Sequence, residues 1–204
     1  MTRQFRSGFL IAAALAFSVI PRWASAQAYG PVAGPLYQSG LQHEMYVGYQ
    51  RLSTDYSLAT ASGDRTAVTS GLDLQYRWHG SNNHLAVVGE AQSNRGTLLG
   101  QKLNTAAVGG VYVATVGRYA PFAQILGGAS RLTSTDSMYL QTDAKTGLAL
   151  LYGAGLDIHL TSHWGIRPVY FEEQYLPSFG PRGSVYWKAG TGILYRFSCF
   201  GIGH

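Results

Sequence analysis

Charge is scarce in this sequence, and long apolar runs are absent. Only 12% of the 204 residues are charged, about half the fraction usual in a soluble domain. The longest apolar stretch, residues 8–20, is too short for a helix that crosses a bilayer, which takes about 20 residues. A mean hydropathy of −0.01 also excludes a bundle of membrane helices. The single cysteine, Cys199, cannot form an internal disulfide.

Aromatic residues and glycine are abundant by contrast. The 14 Tyr, 8 Phe and 4 Trp bring more apolar groups than a disordered chain carries. Together with 26 glycines and little charge, this composition indicates one domain built as a β-barrel.

The N-terminus has the parts of a secretory signal peptide in order. Arg3 and Arg6 precede the apolar stretch 8–20, and residues 24–26 (Ala-Ser-Ala) form a cleavage site. We predict a signal peptide over 1–26, a flexible periplasmic leader over 27–43, a barrel over 44–197 and a short tail over 198–204. Removing residues 1–26 takes away three of the 15 basic residues and none of the 10 acidic ones. The mature charge therefore gives no reason to expect nucleic-acid binding.

Alternation of apolar and polar residues predicts eight β-strands. In the second strand Leu72 and Leu74 share one face, while Asp73 and Gln75 share the other, which is the period of a strand. The connections alternate between short and long, as in an antiparallel up-and-down transmembrane β-barrel with tight periplasmic turns. The predicted strands are 44–53, 67–79, 84–93, 105–116, 119–132, 146–160, 164–175 and 185–197.

Two predicted strands depart from a clean alternation. The fourth is too uniformly small and apolar to assign its faces. The seventh mixes Arg167, Pro168, Glu172 and Glu173, which predicts a β-bulge.

Aromatic residues gather at both predicted ends of the barrel, where their rings suit the lipid–water boundary. The outer ends carry Tyr56, Tyr139, Tyr175 and Tyr186. The periplasmic ends carry the predicted aromatic girdle, which consists of Trp78, Tyr119, Trp164, Tyr195 and Phe197.

Three segments resemble the OmpA-like eight-stranded outer-membrane β-barrel family. They are RYAPFAQILGGASRL (118–132), LYGAGLDIHLTSHWGIRPV (151–169) and TGILYRF (191–197). In the last, Thr191, Gly192, Tyr195 and Phe197 resemble the family's barrel-assembly signal, although seven residues follow Phe197. The resemblance covers residues 44–197.

The resemblance implies an integral outer-membrane protein, exported to the bacterial outer membrane of a Gram-negative-type cell. Its expected partners are outer-membrane lipids, lipopolysaccharide and the barrel-assembly machinery. Segments 54–66 and 133–145 are the expected loops for an extracellular partner. We expect a monomer with a structural, anchoring role and no cofactor.

The face assignment places four acids and four bases inside the barrel. Charges removed from water need partners and hydrogen bonds, so we expect a plug of salt bridges; a narrow channel for ions or small solutes is the alternative. The predicted lumen charge network consists of Asp73, Arg77, Glu90, Asp157, Arg167, Glu172, Lys188 and Arg196.

Two further functions stay open. His159, Thr161 and Glu173 loosely resemble the His-x-Ser…Glu arrangement of outer-membrane lipid A deacylases, with threonine in place of serine; the simpler interpretation is a lumen histidine and a turn-capping threonine. We therefore predict no catalytic residues. A soluble lipocalin-like binder would need its apolar face inside, whereas Lys188 and Arg196 are expected there.

The histidines give no metal site. Four of them fall at the predicted periplasmic end, without the paired spacing of zinc ligands, and we predict no metal. They are His79, His84, His159 and His163.

Overall fold

A computed structural model describes residues 42–54, 68–80, 84–96, 102–136, 141–179 and 183–198. No helix able to cross a membrane occurs in these ranges. The predicted signal peptide and most of the predicted leader and tail lie outside the described residues, as does segment 54–66 apart from Thr54. The strands are β1 Gln42–Thr54, β2 Val68–His79, β3 Leu85–Gly96, β4 Lys102–Val113, β5 Tyr119–Asp136, β6 Gln141–His159, β7 Trp164–Leu176 and β8 Ser184–Ser198.

The eight strands form one closed antiparallel barrel in chain order, since β1 pairs with both β2 and β8. This confirms the predicted all-β up-and-down architecture. A row of cross-strand partners starting at Ala144 of β6 circles the barrel and returns to β6 at Ala154, ten residues further along. Strands in such a barrel tilt by about 40° against its axis, and eight of them leave an interior that side chains can fill.

The two faces of the wall have opposite character. Arg167 is 0% exposed on the inside, whereas Ile125 is 69% exposed on the outside. The same alternation settles the faces of β4, where Leu103, Thr105 and Val111 point inward. Charged residues inside and apolar residues outside are typical of a barrel whose wall contacts lipid.

A β-bulge interrupts β7, as its mixed sequence predicts. Pro168 and Val169 both point outward, and the register shifts beside them against β6 and against β8. Proline has no N–H to give to a ladder, so a bulge is one of the few places in a sheet that tolerates it. The extra residue changes the phase of β7, and Arg167 and Tyr170 therefore both face the interior although they are three residues apart.

Short turns close the end at which β1 begins, which is the predicted periplasmic end and keeps that name below. Gly117 has a φ of +61° in the tight turn between the bridged residues Val116 and Tyr119, a backbone conformation that glycine adopts without strain. In the turn after β6, Thr161 Oγ1 accepts a hydrogen bond from the backbone N–H of Trp164 at 2.9 Å.

The opposite, outer end differs from the prediction in two places. Segment 133–145 was expected to be a loop, but β5 extends to Asp136 and β6 begins at Gln141. Its Thr residues suit paired strands, so a β-hairpin replaces the expected loop. Tyr186, expected among the outer aromatic residues, is buried inside, because it is in phase with Lys188 along β8.

Candidate functional site: the charged interior and the rims

Two arginines hold two carboxylates in the periplasmic half of the interior. Arg167 donates from Nε to Asp157 Oδ1 at 2.6 Å and from the second terminal nitrogen to Asp157 Oδ2 at 3.1 Å. Arg77 contacts Asp157 Oδ2 at 2.7 Å and Glu44 Oε1 at 3.2 Å. All four residues are buried, and we call them the arginine cluster. Its two acidic and two basic side chains have opposite charges of equal number, so the cluster is electrically neutral.

Aromatic rings cover the guanidinium groups of the arginine cluster. The Arg167 guanidinium carbon lies 4.0 Å from the ring centroid of Tyr46 and 4.3 Å from that of Phe122. The guanidinium carbon of Arg77 lies 4.1 Å from the Phe122 centroid. Cation–π contacts of desolvated groups contribute about 2 kcal/mol each, so the rings stabilise charges that water does not reach.

A second buried cluster lies nearer the outer end and contains one base for three acids. Lys188 Nζ contacts Glu172 and lies 3.6 Å from Glu90 Oε1. Asp73 is the third acid. We call this group the lysine cluster. Its acidic excess makes it dependent on uncharged hydrogen-bond donors.

Amide and phenol groups supply those donors. Gln124 Nε2 lies 3.0 Å from Glu90 Oε2 and 3.1 Å from Glu172 Oε2, and Tyr170 donates its hydroxyl proton to Glu172. Gln75 Nε2 lies 3.2 Å from Asp73 Oδ2 and 3.1 Å from Glu90 Oε2. The Oε1 atom of Gln75 accepts a hydrogen bond from Arg167 at 2.7 Å. Gln75 therefore joins the lysine cluster to the arginine cluster.

Neutral layers follow toward the outer end. Gln174 Nε2 lies 2.8 Å from both Thr105 Oγ1 and Ser130 Oγ. Beyond this polar layer lies a buried apolar layer, which includes Phe179 from the segment after β7. The apolar layer also contains Leu52, Leu103, Leu176 and Tyr186.

All eight residues of the predicted lumen charge network lie inside the barrel and are buried. Seven of them belong to the two clusters, and Arg196 lies at the periplasmic end as the cross-strand partner of Glu44. Sequence reasoning missed Glu44, a fifth interior acid. The alternation of Glu44, Tyr46 and Gln50 against Met45 and Val47 along β1 carried the signal that would have found it.

The predicted aromatic girdle residues all lie at the periplasmic end. Four are between 40% and 56% exposed on the outer wall, namely Trp78, Tyr119, Trp164 and Tyr195. Phe197 is partly covered because its ring stacks on His43 with centroids 5.3 Å apart. Trp164 and Tyr195 contact each other, with ring centroids 4.8 Å apart.

Two residues of the predicted assembly signal also have contacts within the barrel. Thr191 donates its hydroxyl proton to the backbone carbonyl of Arg167 at 3.0 Å, directly beside the bulge. Gly192 faces the interior, where an added Cβ would lie 2.6 Å from Tyr46 Cε2. Glycine at this position thus leaves room for the ring that covers Arg167.

The residues of the deacylase-like arrangement are not brought together. His159 faces the interior, whereas Glu173 faces the outer wall near the other end of β7. Thr161 lies in an exposed turn, where its hydroxyl accepts hydrogen bonds from backbone N–H groups. The geometry matches the simpler interpretation of a lumen histidine and a turn cap.

No group of three or more His, Cys, Asp or Glu side chains within the described ranges is arranged to hold a metal ion. His43, His84 and His163 stack instead on aromatic rings of the outer wall, on Tyr76, Tyr112 and Tyr195 respectively.

Structures of two bacterial proteins superpose on this barrel. Neisserial surface protein A superposes with a TM-score of 0.63 at 11% identity, over 76% of this chain and 97% of that one. The outer membrane protein Ail of Yersinia pestis superposes with a TM-score of 0.53 at 18% identity, over 78% of this chain and 99% of Ail. This chain has the eight-stranded barrel fold of these two proteins. A structure of Ail in complex with the heparin analogue sucrose octasulfate gives a TM-score of 0.51 at 17% identity, over 78% of this chain and 99% of that one. No family model and no curated protein sequence matches this barrel.

Proposed function

We propose that this barrel is an integral outer-membrane protein with a structural, anchoring role and no enzymatic activity, and that its buried charges plug the lumen. The observation that carries the proposal is the inverted arrangement of the wall: Arg167 is buried among ion pairs and rings, while residues such as Ile125 are exposed. A soluble protein would leave that apolar wall in water, whereas a membrane covers it with lipid.

Ion pairing supports a plug rather than a channel. Arg77 and Arg167 share Asp157, and Lys188 lies between Glu90 and Glu172. An ion that crossed these layers would have to displace buried partners, which leaves uncompensated charge and costs about 3–5 kcal/mol for each broken pair. The layer around Phe179 adds an apolar barrier.

Anchoring would use the outer wall and its rims. The periplasmic aromatic girdle suits one lipid–water boundary. The hairpin of β5 and β6 and the segment 54–66 are the surfaces we propose for extracellular partners. The closing segment with Thr191, Gly192, Tyr195 and Phe197 is proposed to engage the barrel-assembly machinery.

Electrophoresis and conductance together test this proposal. We expect the protein in the outer-membrane fraction after carbonate washing, with faster migration in SDS when it is not boiled. In planar bilayers we expect no ion conductance. A single unshifted band in the soluble periplasm would reject the membrane barrel. Steady conductance that vanishes in Glu90→Gln or Arg167→Gln would reject the plug and support the channel.

A further inference from the structure

Three cations without an ion-pair partner among the described residues lie side by side on the outer wall. Arg95 of β3, Lys102 of β4 and Arg131 of β5 point outward near the outer ends of three adjacent strands. None of them forms an ion pair with a described residue. In the described parts of β6, β7 and β8, no lysine or arginine points toward lipid, and Glu173 does.

Strand register brings the three cations together. Arg95 and Lys102 are direct cross-strand partners, and Arg131 is the partner of Asn104, two residues along β4 from Lys102. Direct partners have Cβ atoms about 5 Å apart and diagonal neighbours about 7–8 Å apart, and like charges directly opposite each other destabilise a sheet. The acids of β1–β3, namely Glu44, Asp73 and Glu90, face the interior. An external anion would therefore relieve a repulsion that the described side chains leave uncompensated.

A shallow apolar strip runs along the same three strands below the cations. Ala91, Ala106 and Ala129 form one cross-strand row that points outward. An added Cβ at Gly89 would meet no protein atom within 4 Å, and one at Gly127 would only touch Leu150 at 4.0 Å. Packing within the barrel thus does not require such small residues, and they leave space on the wall for an outside molecule.

We propose that Arg95, Lys102 and Arg131 bind the phosphate groups of lipopolysaccharide and that the Ala91–Ala106–Ala129 strip holds one of its acyl chains. Arginine and lysine bind phosphate through charge-assisted hydrogen bonds. The cations lie at the outer end, opposite the short turns, which faces the lipopolysaccharide leaflet in the proposed orientation. The apolar strip distinguishes this ligand from a soluble polyanion, which has no acyl chain to place there. The inference rests on the proposed outer-membrane location and names a lipid partner and its site.

The test is binding of bisphosphorylated lipid A to the detergent-solubilised full chain. Fluorescent lipid A is titrated against the wild type, against Arg95→Gln/Lys102→Gln/Arg131→Gln, and against the matched control Lys145→Gln. Lys145 is an exposed cation at the same end, on β6, whose Nζ lies 5.6 Å from the Phe179 ring centroid. We expect the triple variant to bind about tenfold more weakly or worse, because each exposed ion pair contributes up to about 1 kcal/mol. We expect little change in the control.

Two further measurements test the geometry of the site. The wild type and the triple variant should bind lipid A without phosphate groups with equal affinity. Ala106→Phe, which fills the strip, should weaken lipid A binding and leave the binding of sucrose octasulfate unchanged. Equal lipid A binding by wild type and triple variant would overturn the proposal, and so would binding of sucrose octasulfate as tight as that of lipid A. Heat-modifiable migration of the triple variant in the outer-membrane fraction shows that the proposed location holds even when the lipid site fails.

Discussion

Arg167 and Asp157 face each other across the β6–β7 strand pair and share two parallel hydrogen bonds, at 2.6 Å and 3.1 Å. Neither side chain has more than 1% of its surface exposed. Bidentate pairing of this kind fixes geometry as well as charge. The pair therefore anchors the arginine cluster, with Arg77 on the same carboxylate.

Removing one partner of this pair is the first prediction. Asp157→Asn leaves Arg77 and Arg167 with half their negative partners, so we expect the free energy of unfolding to fall by about 3–5 kcal/mol. Urea titration in detergent, followed by the heat-dependent gel shift, measures the loss. The barrel should still insert, since its outer wall is unchanged.

The matched control for that variant is Arg51→Gln, which removes an exposed charge from the outer face of β1 and should change stability by less than about 0.5 kcal/mol. Equal urea midpoints for Asp157→Asn and the wild type would show that the ion pairs do not stabilise the plug.

The second prediction concerns the acidic excess of the lysine cluster. Lys188→Met leaves Asp73, Glu90 and Glu172 without their buried cation, and like charges in a low-dielectric interior repel strongly. We expect a large loss of stability at pH 8. Lys188→Arg keeps the positive charge, so it should retain most of the stability that Lys188→Met loses.

Melting temperatures of the wild type, Lys188→Met and Lys188→Arg at pH 8 measure this effect. An equal loss of stability in Lys188→Met and Lys188→Arg would argue that packing, and not charge, is what the lysine provides.

The sequence predicted the strands, the inward charges and the bulge because each leaves a local trace. Alternation along β2 separates Asp73 from Leu72, and Pro168 breaks the alternation of β7. The local sequence does not show which residue contacts each charged side chain. Gln75 contacts Arg167 across 92 positions of sequence, and that contact depends on the closure of the barrel and on its register. The hairpin at the outer end was missed for a related reason: polar Ser and Thr residues suit a loop or a strand until a partner strand is present.

The third prediction separates two roles of Thr191. Its hydroxyl donates a hydrogen bond to the Arg167 carbonyl beside the bulge, on the outer face of the wall. Thr191→Val keeps the shape and removes the hydroxyl, so we expect it to lower the unfolding free energy by about 1–3 kcal/mol. Thr191→Ser keeps the hydroxyl and should be close to wild type.

Assembly kinetics decide whether Thr191 also belongs to an assembly signal. A role in the signal predicts slower insertion for both Thr191→Val and Phe197→Leu in a reconstituted assembly reaction, whereas the hydrogen bond alone predicts an effect of Thr191→Val only. Unchanged stability of Thr191→Val would remove the proposed link to the bulge.

The last prediction concerns the turn threonine and the enzyme alternative. Thr161 Oγ1 accepts the Trp164 N–H at 2.9 Å, and loss of such a hydrogen bond costs about 1 kcal/mol, so Thr161→Val should lower the melting temperature by a few degrees. Thr161 is far from Glu173 along the wall, at the opposite end of β7. Neither Thr161→Val nor Glu173→Gln should therefore change the lipid A of cells that overproduce the barrel, and mass spectrometry of extracted lipid A measures this. Deacylated lipid A that appears with the wild type and disappears with both variants would support an enzymatic function. A turn threonine and a carboxylate on the outer wall have no other reason to share that effect.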